Sequence, residues 1–226
     1  MSLTEGNFEP YGLNLWAACL ERFSRMEGNF EPHAEDEPRQ PRKIKEYSQP
    51  GFKAHMMVKE GKLIRLKRGW FCVNPKYSKK SINHGVVANV LYDGPSYVSI
   101  ETALSYYGLI PERTMGMTSV VTGRSKTFKT PIGWFSYKSI PEDLFPIGVR
   151  SVDGYLMASP EKALCDYLYT RKDLRIYSPK TLASYLEEDV RFDFDSFANH
   201  DPQIFAAYAA CGHKAALFNA AERLFR

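Results

Sequence analysis

KEGKLIRLKRGWFCV, residues 59–73, decides how the first part of this 226-residue chain is read. Apolar and cationic residues alternate, so a strand here would put Ile64 and Leu66 on one face and Arg65 and Lys67 on the other. Lys67-Arg68-Gly69 supplies a tight basic turn, and Trp70-Phe71-Cys72-Val73 reads as the returning strand. Just upstream, Phe52, Met56 and Lys59 share helical spacing, and Gly61 stands where a helix would stop. A short helix followed by a cationic hairpin has the form of the reading end of a winged helix-turn-helix. The plainer alternative is an ordinary hairpin with a solvated charged face.

The charge distribution favours the first reading. The whole chain is only +4, but residues 41–80 carry twelve Lys/Arg against two acids, a net of +10. Residues 1–40 are net −5 and residues 81–226 net −1, so the basic excess sits almost wholly in the segment with the helix-hairpin pattern. A localised cationic patch is what phosphate neutralisation requires. In the recognition helix Lys53, His55 and Lys59 would face base edges, while Lys62, Arg65, Lys67 and Arg68 would form the wing and grip phosphates. Arg68, at the tip, is the candidate to enter a minor groove.

Outward from this stretch the texture changes on both sides. Upstream, EGNFEP occurs at 5–10 and again at 27–32, too few copies for a repeat architecture. Between them Leu15, Trp16, Cys19, Leu20 and Phe23 make one helical stripe. An acidic, Pro-rich loop follows at 31–41, and 42–47 offers at most one turn of helix. Downstream, a polar linker is expected at 74–83. Beyond it Ser99 can cap a helix over 100–107 that ends at Gly108, and 117–122 reads as a buried strand. A hairpin is expected over 128–140 with a break at Gly133, and another over 147–157 turning at Asp153-Gly154. Ser159-Pro160 and Ser178-Pro179 each open a helix, and one or two Ala-rich helices close the chain. The expected class is α+β: a winged helix-turn-helix over 1–78, then a mixed α/β domain over 82–226.

At 44% hydrophobic, the chain can bury a sizeable core. No apolar run approaches the ~20 residues of a membrane span, and the stretch 13–20 reads as helix and not as a leader. Cys19, Cys72, Cys165 and Cys211 lie far apart without a C-x-x-C, so reduced thiols, a cytoplasmic location and no metal or cofactor are expected.

Three segments resemble a known family. VANVLYDGPSYVSIETALSYYGLIPE (88–112) carries S-x-E-T-A-L-x-x-x-G-L-I-P-E, MTSVVTGRSKTFKTPIGWFSYKSI (117–140) follows it, and LMASPEKALCDYLY (156–169) carries A-x-P-E-K-A-L-x-D. Together with the G-x-L-x-R-L-x-R-G wing at 61–69, they resemble the AbiEi family, the antitoxin and regulator components of abortive-infection (type IV) toxin–antitoxin systems. The resemblance implies an N-terminal winged helix that binds its own promoter duplex as an autorepressor, and a C-terminal antitoxin domain. It also implies that the toxin is countered without a stable complex; oligomeric state stays open. The competing reading is a non-catalytic module whose cationic patch binds an acidic protein or RNA.

Other constellations in the second domain are weaker. Ser159-Pro160-Glu161-Lys162 matches S-x-x-K, but with seventeen Ser and sixteen Lys about one such match arises by chance. A cap Ser before a first-turn Pro explains it, and Lys162 with Asp166 makes an i,i+4 pair expected as a surface or interdomain salt link. Gly123-Arg124-Ser125-Lys126 lacks the second Gly and the Lys-Ser/Thr of a phosphate loop, leaving a turn with two cations. No Asp with a Glu-x-Lys fits a metal nuclease, so no catalytic residue is expected. Glu101, Arg124, Lys126, Glu161, Lys162 and Asp166 remain as candidate surface contacts of this domain.

Overall fold

The computed structural model describes residues 48–78, 81–111, 115–197 and 201–226, and the chain divides into two compact units, Met1–Ile82 and Asn83–Arg226. The architecture is mixed α+β. The helical stripe expected at 15–23, the EGNFEP copies, the Pro-rich loop at 31–41 and the turn at 42–47 lie outside the described residues.

In the first unit, helix α1 (Pro50–Lys59) opens on a proline whose missing N–H costs nothing in the first turn. It stops through a paired glycine cap: Gly61 takes the left-handed conformation at φ +71°, its N–H donates to Val58, and the Lys62 N–H reaches back to Met57. Strands β1 (Leu63–Lys67) and β2 (Trp70–Val73) then pair antiparallel, and Gly69, at φ +79°, makes the turn. The hairpin is closed at its base by Asn74, whose backbone N–H donates to Lys62 and whose amide donates to Gly61. A single turn of helix, α2 (Pro75–Ser78), occupies the start of the expected linker.

Simple alternation fails in β1. The pairing shifts register between Arg65 and Lys67, so Leu66 is an extra residue, and Leu63 and Leu66 are buried while Ile64 is only half-buried. A bulge bends the strand and re-aims the side chains beyond it. Arg65 and Arg68 remain exposed on the outside of the bend.

The second unit is built on a six-stranded sheet. Its elements are α3 (His84–Leu91), β3 (Ser96–Val98), α4 (Ile100–Tyr106), β4 (Gly116–Val121), β5 (Lys126–Thr130), β6 (Gly133–Ser139), β7 (Val149–Val152) and β8 (Tyr155–Ala158). Four helices follow: α5 (Pro160–Thr170), α6 (Pro179–Ser184) running into a π turn at Tyr185–Asp189, α7 (Pro202–Ala210) and α8 (Ala215–Leu224). Strand order is β5-β6-β4-β3-β8-β7; β4 with β6 and β3 with β8 are parallel, the rest antiparallel.

Two of the antiparallel pairs are local hairpins. β7–β8 turns on Asp153 and Gly154 at φ +48° and +81°, the geometry that matches the right-handed twist of a two-residue hairpin. The register then sorts the sheet's faces. Phe135, Tyr137 and Met157 face α3, where the Tyr137 hydroxyl donates to the Ala88 carbonyl. Gly85 of α3 lies against the Tyr155 ring so closely that an added Cβ would sit 2.5 Å from it. Tyr97, on the opposite face, is fully buried beneath α5 and α7. The C-terminal helices close over an aromatic cluster of Phe192, Phe197, Phe205 and Phe225.

Candidate nucleic-acid interface and a buried ion cluster

In the first unit α1 and the hairpin bring the expected residues together on two neighbouring elements. Ala54 is the side of α1 that is buried, with Leu63 and Leu66 buried on the hairpin. Phe52, His55 and Lys59, at i, i+3 and i+7, form one exposed stripe on the helix. Phe52 is 63% exposed, a large apolar side chain in a position where burial would be expected. Its three-residue offset from His55 places the two side chains on one face, but its exposure shows only in the fold. Lys53 is half-buried.

The hairpin's cations have different surroundings. The Lys62 ammonium lies 2.8 Å from the Glu60 carboxylate, whose pKa is held below the ordinary range by that hydrogen bond and charge, with Lys53 adding to it. The Lys62 charge is therefore partly offset. Lys67 sits over the Trp70 ring at 5.0 Å, which stiffens both side chains near the turn. Arg65, Arg68, His55 and Lys59 project into solvent.

In the second unit the structure overturns an expectation. Glu161, Lys162 and Asp166 are not surface residues: they are 4%, 0% and 0% exposed. Helix α5 is buried on nearly every side because the sheet, α4 and α7 all pack on it, so an i,i+4 ion pair here lies inside the core. Ser159 caps the helix by accepting from the Lys162 N–H, which accounts for the S-x-x-K spacing without chemistry.

The Lys162 ammonium donates to the Leu144 carbonyl (2.5 Å) and the Tyr208 hydroxyl (2.6 Å), with the Asp166 carboxylate 3.6 Å away. Asp166 accepts from Tyr97 (2.9 Å), from Ser99 (2.7 Å) and from Tyr208. The Tyr208 hydroxyl thus accepts from the lysine and donates to the aspartate. Burial pushes the Lys162 pKa down, opposed by the Asp166 charge. It holds the phenols of Tyr97 and Tyr208 well above their ordinary range, with Asp166 adding to the effect. Gly148 lets the chain pass over this cluster; at φ +67°, a Cβ there would stand 3.1 Å from both the Lys162 Cβ and the Ser159 Oγ.

Ser99 departs from its expected role as well. Its side chain makes no cap hydrogen bond to α4; it is spent on Asp166 instead. Ser99 belongs to the S-x-E-T-A-L segment and Lys162 and Asp166 to the A-x-P-E-K-A-L-x-D segment, so the two motifs meet at one buried point. What they do chemically here is tie β3 and α4 to α5. Tyr97 and Tyr208 complete the cluster and carried no motif signal.

The remaining candidates stay at the surface. Glu101 is 3.3 Å from the Arg171 guanidinium, which also donates to the Tyr167 hydroxyl. Arg124 and Lys126 are exposed in the turn before and the start of β5. Gly123, the glycine that suggested a phosphate loop, lies against the Tyr92 hydroxyl, 2.5 Å from where a Cβ would stand. Among the described residues no group of three or more His, Cys, Asp or Glu could hold a metal ion, and no helix is long and apolar enough to cross a membrane. Compared with known protein families, curated proteins and solved structures, the chain matches none.

Proposed function

We infer that this chain is a non-enzymatic, DNA-binding autorepressor and the antitoxin of a type IV, abortive-infection toxin–antitoxin system acting in the cytoplasm. In this reading residues 1–78 form a winged-helix reader and residues 82–226 the antitoxin domain, which counters its toxin without a lasting complex. The observation that carries it is the exposed Phe52-His55-Lys59 stripe joined through a glycine cap to a hairpin presenting Arg65 and Arg68, within the one strongly basic segment of the chain. A helix of this kind meets base edges in the major groove, and the hairpin tip grips phosphate beside it.

The test is fluorescence-anisotropy binding of the full chain to a duplex from its own promoter and to a scrambled duplex, each at two salt concentrations. Tighter binding to the native duplex that persists at higher salt is expected. Arg65→Ala with Lys67→Ala should weaken binding to every duplex and lower the salt slope by about 2, since each phosphate contact contributes roughly one unit. Equal, salt-erased binding to both duplexes, or an affinity indifferent to the double change, would sink the reading and leave a charged interaction patch.

A further inference from the structure

The sheet face that buries Tyr97 opens toward its β5 edge, away from α5 and α7. Val120 of β4 pairs with both Tyr97 and Lys138, which puts Lys138 on that face; alternation along β6 adds Ser136 and Trp134. Across the next ladder Trp134 pairs with Lys129 and Ser136 with Thr127. Trp134 is 59% exposed, and Lys129, Lys138 and Thr127 are exposed beside it. The Lys129 ammonium lies 5.0 Å from the indole centroid.

Charge marks the same place. Residues 115–141 hold four Lys/Arg and no acid, whereas the other residues of 83–226 hold eleven against sixteen Asp/Glu. An indole on an open sheet flanked by cations is the arrangement on which unpaired bases stack while lysines meet the backbone phosphates. A duplex keeps its bases stacked on each other and leaves such a ring unused. Stacking on an aromatic face outweighs an exposed cation–π contact, so an arriving base displaces the Lys129 ammonium toward phosphate. The opposed hydroxyl residues Thr127 and Ser136 lie between the Trp134–Lys129 pair and Lys138, where a ribose 2′-hydroxyl finds partners.

We propose that this β5–β6 face binds single-stranded RNA, with Trp134 as the stacking platform and Lys129 and Lys138 as phosphate contacts. The residues of this face all belong to the second unit, and the proposal does not depend on the reading of the first.

The experiment measures anisotropy of fluorescein-labelled oligouridine, oligodeoxythymidine and a DNA duplex with the full-length chain, its Trp134→Ala and Trp134→Phe forms, and the Arg65→Ala/Lys67→Ala form. Circular dichroism checks that each is folded. Trp134→Ala should weaken oligouridine binding on the order of tenfold. Trp134→Phe should recover part of that loss, and duplex affinity should be unchanged. Oligouridine should bind more tightly than oligodeoxythymidine. The proposal is overturned if RNA binding is lost only in the Arg65→Ala/Lys67→Ala form. It is equally overturned if Trp134→Ala weakens duplex and RNA alike, or if the two single strands bind equally.

Discussion

The hairpin at 63–73 and the helix at 160–170 put their charges on opposite sides of the solvent boundary. In the hairpin Arg65 and Arg68 face water and only the aliphatic Leu63 and Leu66 are buried. In α5 a lysine and an aspartate are sealed within the core and satisfied by three hydroxyls and a carbonyl. Exposed cations contribute little to stability, but their field reaches a polyanion; buried ions contribute nothing to recognition and hold the arrangement of the elements around them. On the proposed reading, the same residue types have two jobs, and burial decides which.

The sharpest break in that comparison is Asp166→Ala. It leaves the Lys162 ammonium buried without its counter-charge and strips the acceptor from Tyr97 and Ser99. Urea unfolding of the full chain should show a loss of about 3–5 kcal/mol, the range for a buried pair broken on one side. Lys162→Met combined with Asp166→Leu should cost less than the two single changes added together, because no lone charge remains, although three hydroxyls then lose partners. A single-variant cost below about 1 kcal/mol, the usual value for an exposed pair, would mean that water reaches the cluster.

An alkaline titration sharpens the comparison with a smaller effect. Tyr97 and Tyr208 hold their protons in the folded chain beyond the ordinary phenol range, whereas in the unfolded chain they ionise near pH ~10. Their contribution is complete below that pH and is lost as pH climbs toward the folded values. Lys162 works the other way: its folded pKa is lowered, so the unfolded chain holds the extra proton and stability gains as pH rises toward ~10.4. Burial raises further phenols, Tyr137 and Tyr167 among them, so raised phenols outnumber the lowered ammoniums of Lys162 and Lys214 and predict a net fall. The urea midpoint should be level through neutral pH and drop above pH ~10, and Tyr97→Phe should flatten the drop. A rising midpoint there would show the lysines to be the dominant groups.

Locally encoded features were readable from the chain. Asp153-Gly154, Arg68-Gly69 and the Ser159-Pro160 start carry their conformation in two or three adjacent residues, and each forms where that chemistry puts it. Long-range features were not. The Ser99 hydroxyl looks like a helix cap from its neighbours and is instead held by Asp166, 67 positions away. Lys162 and Asp166 look like a surface pair because charged side chains are rarely buried, and nothing nearby announces the Tyr97 and Tyr208 hydroxyls that make burial tolerable. The bulge at Leu66 was equally hidden, since alternation is blind to an inserted residue. Of the candidate site, the cations were visible; the exposed Phe52 and the Trp134 face needed the fold.

The smallest effect is a stability change that should be absent. Arg65→Ala with Arg68→Ala removes two charges from the outside of the hairpin, and neither side chain belongs to the Leu63, Leu66 and Ala54 packing that joins the hairpin to α1. The turn rests on Gly69 and the hairpin base on Asn74, and both are untouched. Thermal unfolding followed by circular dichroism should therefore shift by no more than about 0.5 kcal/mol, the usual range for surface substitutions away from special features. Duplex affinity should fall in the same protein. If stability fell with affinity, the arginines would be part of the packing, and the division between charges that recognise and charges that hold the fold would fail at the hairpin.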